Sequence, residues 1–305
     1  MNRVLVTGAR GFIGRNCLSS MAERGYEVHG VSSQLVTDGR RGMTWHRTDL
    51  FDWTAVDKLM ARVKPTHLLH LAWITEPGQF WTDPENEDWI DASLHLVEQF
   101  HAEGGKRCVV SGSCAEYDWN HSHCQEQSTP LNPATLYGRS KHALHEQLDE
   151  LARQSDLSVG WARLFFLYGP HAPPQKFPTS VISELLRGEP AICSQGDQQR
   201  DFLHVADAAD ALAALLDSPI EGAVNVASGE ATRLSDMIQI IGQQTGRADL
   251  VRLVALETPT DEPPVLTADV GRLKGELNWS PKFDLQAGLQ STVGWWMENA
   301  RSYAA

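Results

Sequence analysis

Residues 3–16 read RVLVTGARGFIGRN, an apolar run (Val4–Leu5–Val6) followed by glycines at 8, 11 and 14. A strand that delivers glycines to a helix start brings backbone N–H groups and the positive end of a helix against an anion. Gly8 allows the tight turn, Gly11 lets a ligand approach the backbone, and Gly14 lets the helix pack on the sheet. Turns of this kind usually space their glycines G-x-G-x-x-G. Here the spacing is G-x-x-G-x-x-G. The stretch predicts a dinucleotide pyrophosphate cradle and says nothing about the reaction.

Outward from that turn, short apolar runs alternate with amphipathic stretches. RVLVTG, EVHGVS, THLLHLAW, RCVVSGS and LSVGWARLFF read as buried strands. The stretches 12–24, 53–62, 88–101 and 136–154 carry helical patterns. Strand-then-helix alternation predicts an α/β fold built on a doubly wound parallel sheet. After Tyr168–Gly169–Pro170 the chain turns proline-rich, and no flexible linker follows. The expected division is 1–170 plus 195–229 for the dinucleotide-binding domain, and 171–194 plus 230–305 for a smaller C-terminal substrate lobe.

The bulk composition narrows the partners. The chain has 305 residues, 42% of them hydrophobic, and a formal net charge of −13, which argues against general nucleic-acid binding. Five cysteines without paired spacing fit reduced thiols and a cytoplasmic location. No signal peptide or long apolar span is seen, so no membrane partner is expected. His121, His123 and Cys124 gather in WNHSHC, but no second ligand pair sits at zinc spacing, so no metal is expected.

The cofactor contacts follow from strand ends. A carboxylate after the second strand favours a free ribose 2′-hydroxyl, whereas basic or small polar residues favour a 2′-phosphate. Ser32 and Ser33 stand there, with Arg40 and Arg41 further on, so NADP(H) is favoured and NAD(H) remains open. Asp49 is placed to accept from the adenine amino group. Phe12 and Ile13 within the glycine turn, Leu50 beside Asp49, and Ala72 after the HLL strand complete the expected cofactor contacts.

YGRSK puts Tyr137 and Lys141 one helical turn apart. An ammonium beside a phenol favours the phenolate, and such a tyrosine exchanges a proton with a hydroxyl or ketone near neutral pH. Ser113, at the end of VVSGS, is placed to hydrogen-bond the same substrate oxygen.

With these residues together, the chain resembles the extended short-chain dehydrogenase/reductase family, in its nucleotide-sugar branch. That branch opens T-G-x-x-G-F-I-G, matched by Thr7–Gly14, so the glycine spacing is the branch's own. The likeness continues through HLAW, SGSCAEY, YGRSK, RLFFLYGP, NVASGE and the G-x-x-x-R-D-F-x-x-V-x-D pattern from Gly196 to Asp207. It implies a Rossmann domain, a C-terminal nucleotide-sugar lobe and a homodimer. It also implies that Ser113, Tyr137 and Lys141 are catalytic, that Lys141 and Tyr137 touch the cofactor, that Arg200 grips the phosphates of a nucleotide sugar, and that Phe177 and Pro178 lie near the crevice.

The chain departs from its relatives at several points. The Asp–Glu pair by which sugar 4,6-dehydratases expel water is replaced by Cys114 and Ala115. Phe166 stands where many relatives carry an amide, and the helix around Trp89–Ser93 lacks a familiar Asn. Trp73, Trp81, Trp89 and Trp119 crowd the region around the catalytic strand. Trp73 and Trp119 follow strand ends and, with Phe166, are expected to contact the sugar. The leading expectation is an NADPH-dependent reductase of a nucleotide-linked 4-keto-6-deoxy sugar. The alternative is a nucleotide-sugar C4 epimerase with tightly held NAD, since the same serine, tyrosine and lysine serve both. A silent redox-sensing regulator is disfavoured by the intact catalytic residues.

Overall fold

The computed structural model describes residues 2–36, 42–253, 256 and 263–303. Its large sheet begins with β1 (Arg3–Thr7), β2 (Glu27–Ser32), β3 (Met43–Arg47), β4 (His67–His70) and β5 (Arg107–Ser113). The short β6 (His123–Cys124) lies elsewhere, and β7 (Ser158–Leu164) returns to the large sheet. The interleaved helices are α1 (Gly14–Glu23), α2 (Trp53–Val63), α3 (Glu85–Ala102) and α4 (Leu136–Gln154).

Period-two alternation in β1 shows why the sheet needs helices on both faces. Val4 and Val6 join one core with Cys17, Leu18 and Met21 of α1. Leu5, between them, joins the opposite core with Val56 of α2, Leu96 of α3 and Leu144 of α4. All three β1 residues are fully buried, as expected of a central parallel strand.

The remaining elements are β8 (Phe166–Tyr168), α5 (Thr179–Leu186), β9 (Ala191–Ile192), β10 (Gln199–His204), α6 (Val205–Asp217), β11 (Gly222–Val226), β12 (Ala231–Arg233), α7 (Leu234–Gln244), β13 (Val251–Arg252), β14 (Val265–Ala268) and α8 (Leu285–Tyr303). The large sheet has the order β11-β7-β5-β4-β1-β2-β3, and each neighbouring pair is parallel. Residues 195–229 divide between the sheets: β10 pairs with β8, β12 and β14 in the smaller sheet, while β11 joins the large one and α6 packs beside α1. Helices α5, α7 and α8 close a third core through Ile182, Leu185, Met237, Ile241, Leu289 and Val293.

The C-terminal ends of β1, β4 and β5 converge, which is where a doubly wound sheet offers a crevice. Thr7 locks two of them together. Its Oγ1 accepts from the N–H groups of Leu71 (3.1 Å) and Ala72 (3.2 Å) and meets His70 Nδ1 at 2.6 Å. The Thr7 proton therefore goes to Nδ1, and the Nε2–H of His70 donates to Ser93 Oγ at 2.9 Å. Burial holds His70 neutral, with a pKa pushed down to about 3, helped by the nearby Lys141 charge.

Candidate active site

The glycine turn fits a pyrophosphate. Gly8 takes a positive φ of 62°, and a Cβ there would stand 2.8 Å from Ala72 N. A Cβ on Gly14 would come within 2.2 Å of the Gly8 carbonyl, so only glycine lets α1 start against the loop. The first turn of α1 carries no acidic side chain. Its N-terminus is thus electrostatically open to an anion. Phe12 and Ile13 lie in the turn before α1, Leu50 is buried, and Ala72 is tied to Thr7.

At the end of β2 the structure places Ser32 Oγ as acceptor for Gln34 N (3.1 Å), and Arg47 Nε donates to the Ser33 carbonyl (3.3 Å). Arg10, from the glycine turn, reaches the same corner and donates to Gln34 Oε1 at 3.1 Å. Sequence reading missed Arg10 and Arg47, because only the folded turn brings them beside Ser32. Arg40 and Arg41 lie outside the described residues. Asp49 Oδ1 accepts from Phe51 N (3.1 Å) at the next strand's end.

Ser113 ends β5 and caps the following 3-10 turn, Cys114–Glu116. Its hydroxyl accepts from Ala115 N (3.2 Å), and Glu116 reaches back to accept from Ser113 N (2.7 Å). This reciprocal capping box fixes the serine. The S-x-x-E spacing of Ser113 and Glu116 is the sequence signal of this box. The Glu116 carboxylate is fully buried and also accepts from Trp161 Nε1 (3.0 Å) and Arg163 Nε (2.9 Å). Arg163 in turn donates to Tyr117, whose hydroxyl donates to Asn225.

Helix α4 brings the other two residues. Thr135 caps it by accepting from Gly138 N at 3.0 Å. Gly138 lies so near the 3-10 turn that a Cβ there would stand 2.2 Å from the Ala115 carbonyl. That approach sets Tyr137 beside the Ser113 side chain. Lys141, one turn on and almost fully buried, donates to the Ser111 carbonyl at 2.8 Å. Burial pulls its pKa down to about 7, against the raising effect of Glu116. The Tyr137 phenol behaves differently from the sequence expectation: desolvation raises its pKa well above the ordinary value, and Ser113 alone opposes it. The reason is geometric, since the Lys141 ammonium is turned to Ser111 and an indole face.

That face belongs to Trp73, whose ring centroid lies 3.7 Å from Lys141 Nζ. Trp73 is only 8% exposed, donates through Nε1 to Asn86 Oδ1 (2.8 Å) and stacks on Trp89. It lies beneath the lysine and not on an open wall. Phe80 and Trp81, from the loop before α3, instead meet Tyr137 edge-on at 5.0 and 5.7 Å. Trp81 faces Trp119, which is tethered by an N–H bond to the Cys114 carbonyl. Phe166 lies under the Arg200 guanidinium at 5.6 Å, and Arg200 donates to the Gln199 and Pro263 carbonyls. His123 bonds Thr267, and Cys124 is buried, so WNHSHC forms part of the packing between β6 and β14.

Known proteins resemble this chain in sequence and fold. Residues 4–227 match the model of the NAD dependent epimerase/dehydratase family. A UDP-glucose 4-epimerase of Rhizobium meliloti (strain 1021) is 26% identical, the match covering 96% of this chain and 97% of the relative. The structure of MoeE5 in complex with UDP-glucuronic acid and NAD is 28% identical, covers 99% of this chain and 100% of MoeE5, and superposes with a TM-score of 0.86. The UDP-glucose 4-epimerase of Thermotoga maritima, solved with UDP-glucose, shares the fold at a TM-score of 0.87 and 22% identity, over 98% and 99% of the two chains.

Proposed function

The chain belongs to the NAD dependent epimerase/dehydratase family, and from that premise we propose that it is a nucleotide-sugar 4-epimerase. The observation that carries the reading is the site at the end of β5, where the Tyr137 phenol lies beside the Ser113 side chain and Lys141 follows one helical turn on. Next to Ser113 stand buried Cys114 and Ala115, and the one adjacent carboxylate, Glu116, is committed to Arg163. Nothing there is placed to expel water from the sugar, which disfavours a dehydratase. The similarity to UDP-glucose 4-epimerases supports the epimerase over the reductase expected from sequence.

The glycine turn fits a nicotinamide dinucleotide, with Gly8, Gly11 and the start of α1 at its pyrophosphate, Asp49 and Leu50 at its adenine, and Lys141 at its nicotinamide ribose. When bound, the dinucleotide supplies a reversible hydride acceptor. With the positively charged nicotinamide ring in place to favour its phenolate, Tyr137 would take the proton from the sugar 4-hydroxyl as C4 gives up its hydride, and would return it after the keto sugar has turned its other face. Ser113 holds the same oxygen and keeps it in line with the phenol. Arg200 is assigned to the phosphates of the nucleotide. The cofactor held by MoeE5 is NAD.

A second reading rests on one corner of the molecule. Ser32 and Ser33 end β2 without a carboxylate, and Arg10 reaches that corner, which favours a 2′-phosphate and hence an NADPH-dependent reductase. One experiment separates the two. The protein is given UDP-glucose in one arm and a nucleotide-linked 4-keto-6-deoxy sugar with NADPH in the other, with nicotinamide absorbance and product NMR followed together. The epimerase yields UDP-galactose from the first arm with no net absorbance change. Stoichiometric NADPH loss in the second arm, with UDP-glucose untouched, establishes the reductase and overturns the epimerase.

A further inference from the structure

Lys141 occupies an unusual position for a cation. It is 1% exposed, and among the described residues its ammonium finds one hydrogen-bond acceptor, the Ser111 carbonyl at 2.8 Å. An ammonium with three protons in a dry site needs more than that to stay charged. The electron-rich face of Trp73, 3.7 Å from Nζ, supplies the remainder. The indole is held by its own hydrogen bond, from Nε1 to Asn86 Oδ1. Asn86 is fully buried, and its Nδ2 donates to the carbonyls of Phe80 (2.7 Å) and Asp83 (2.8 Å). The same loop seats Tyr137, because Trp81 O accepts from Tyr137 N at 3.2 Å and both loop aromatics touch the phenol ring.

We propose that Trp73 is a positioning residue: its indole face holds the Lys141 ammonium in place and charged, and through Asn86 it ties the lysine to the loop that seats Tyr137. A tryptophan at the end of HLAW thereby acts on the reaction through Lys141 and not as a wall for the sugar. The other titratable groups around the ammonium are Glu116 from the 3-10 turn, His70 from β4 and Tyr137 on α4 itself. Glu116 favours the charged lysine, while His70 stays neutral and contributes no charge. The face of Trp73 is therefore the one support of the ammonium that substitution removes without changing a charge.

The test reads Lys141 directly, in the full-length protein labelled with ¹³C at lysine Cε. The chain has seven lysines, and a Lys141→Met spectrum identifies the relevant signal. In the wild type, the Lys141 ε-protons are expected well upfield of the others, from the indole ring current. Trp73→Leu should abolish that shift and lower the titration midpoint of Lys141 by about one pK unit. Trp73→Phe keeps an aromatic face and should restore most of the midpoint. An ordinary chemical shift in the wild type overturns the proposal with no variant needed, as does an unchanged midpoint in Trp73→Leu. A kinetic arm rests on the epimerase reading: the alkaline limb of turnover should move to lower pH in Trp73→Leu by the same interval. The spectroscopic arm needs no substrate, so its failure is distinct from a failure of that reading.

Discussion

At the scale of single residues, the site sets a phenol against its surroundings. Burial makes the Tyr137 proton hard to lose in the protein alone, and the neighbouring Ser113 side chain is the contribution that eases it. A tyrosine in this position is useful only if its hydroxyl carries the proton, since the ring merely packs against Phe80 and Trp81. Tyr137→Phe should therefore bind dinucleotide with unchanged affinity by calorimetry and lose about 100-fold or more in turnover. Turnover at the wild-type rate would remove the phenol from the reaction. Glu116 illustrates the opposite case, a carboxylate close to the reacting groups that is spent on structure. Both of its oxygens accept from Trp161, and Arg163 closes the pair, leaving it no lone role as a free base.

At the scale of elements, the glycine turn and α4 decide what meets what. Helix α4 was legible to the residue, because its apolar period and its Thr135 cap leave little choice of bounds. Helix α1 begins later than its pattern suggests, at Gly14, since Phe12 and Ile13 remain in the ligand turn. The two-residue strands β6, β9 and β13 were not legible, for a pair of residues carries no period. The Glu116–Arg163 pair and the Asn86 clamp were hidden for another reason: each joins segments that only the fold brings together. Ser113, Tyr137 and Lys141 could be named from sequence because strand end and helix start each announce themselves. What sequence does not announce is the closeness of α4 to the 3-10 turn. Gly138→Val would force its new side chain against the Ala115 carbonyl, 2.2 Å from where a Cβ would stand. Such a variant should separate Tyr137 from Ser113 and lower turnover by about 100-fold, as misplacement near 1 Å does. Dinucleotide binding, held chiefly by the glycine turn, should persist, and calorimetry alongside turnover checks both halves of that statement.

At the scale of the whole molecule, the elements of both larger sheets share a liability to acid. Four histidines are buried and held neutral: His46 on β3 and His204 on β10, with pKa values down to about 4, and His70 on β4 and His145 on α4, down to about 3. Desolvation is the largest cause in each, joined by His29 and Arg62 at His46, and by Arg163 and His142 at His145. An unfolded chain takes up these protons near pH 6.5, whereas the folded chain does so only well below pH 5. Between those limits the unfolded state binds more protons, so stability is full above about pH 7 and falls as the pH drops toward 4. Each histidine contributes a slope of at most about 1.4 kcal/mol per pH unit. Burial raises the carboxyls of Asp201 and Glu126 above their ordinary values, which acts in the opposite sense and offsets part of this slope. Urea midpoints at pH 7.5, 6.5, 5.5 and 4.5 should therefore fall modestly over the first step and more steeply below pH 6.5. His204→Asn offers the sharper check. The imidazole caps α6 by accepting from Ala206 N at 3.3 Å, a task asparagine performs well, so the variant keeps the cap and loses the titration. Its stability should decline less steeply between pH 6.5 and 4.5 than that of the wild type. Parallel slopes would mean that His204 takes up its proton with the fold intact.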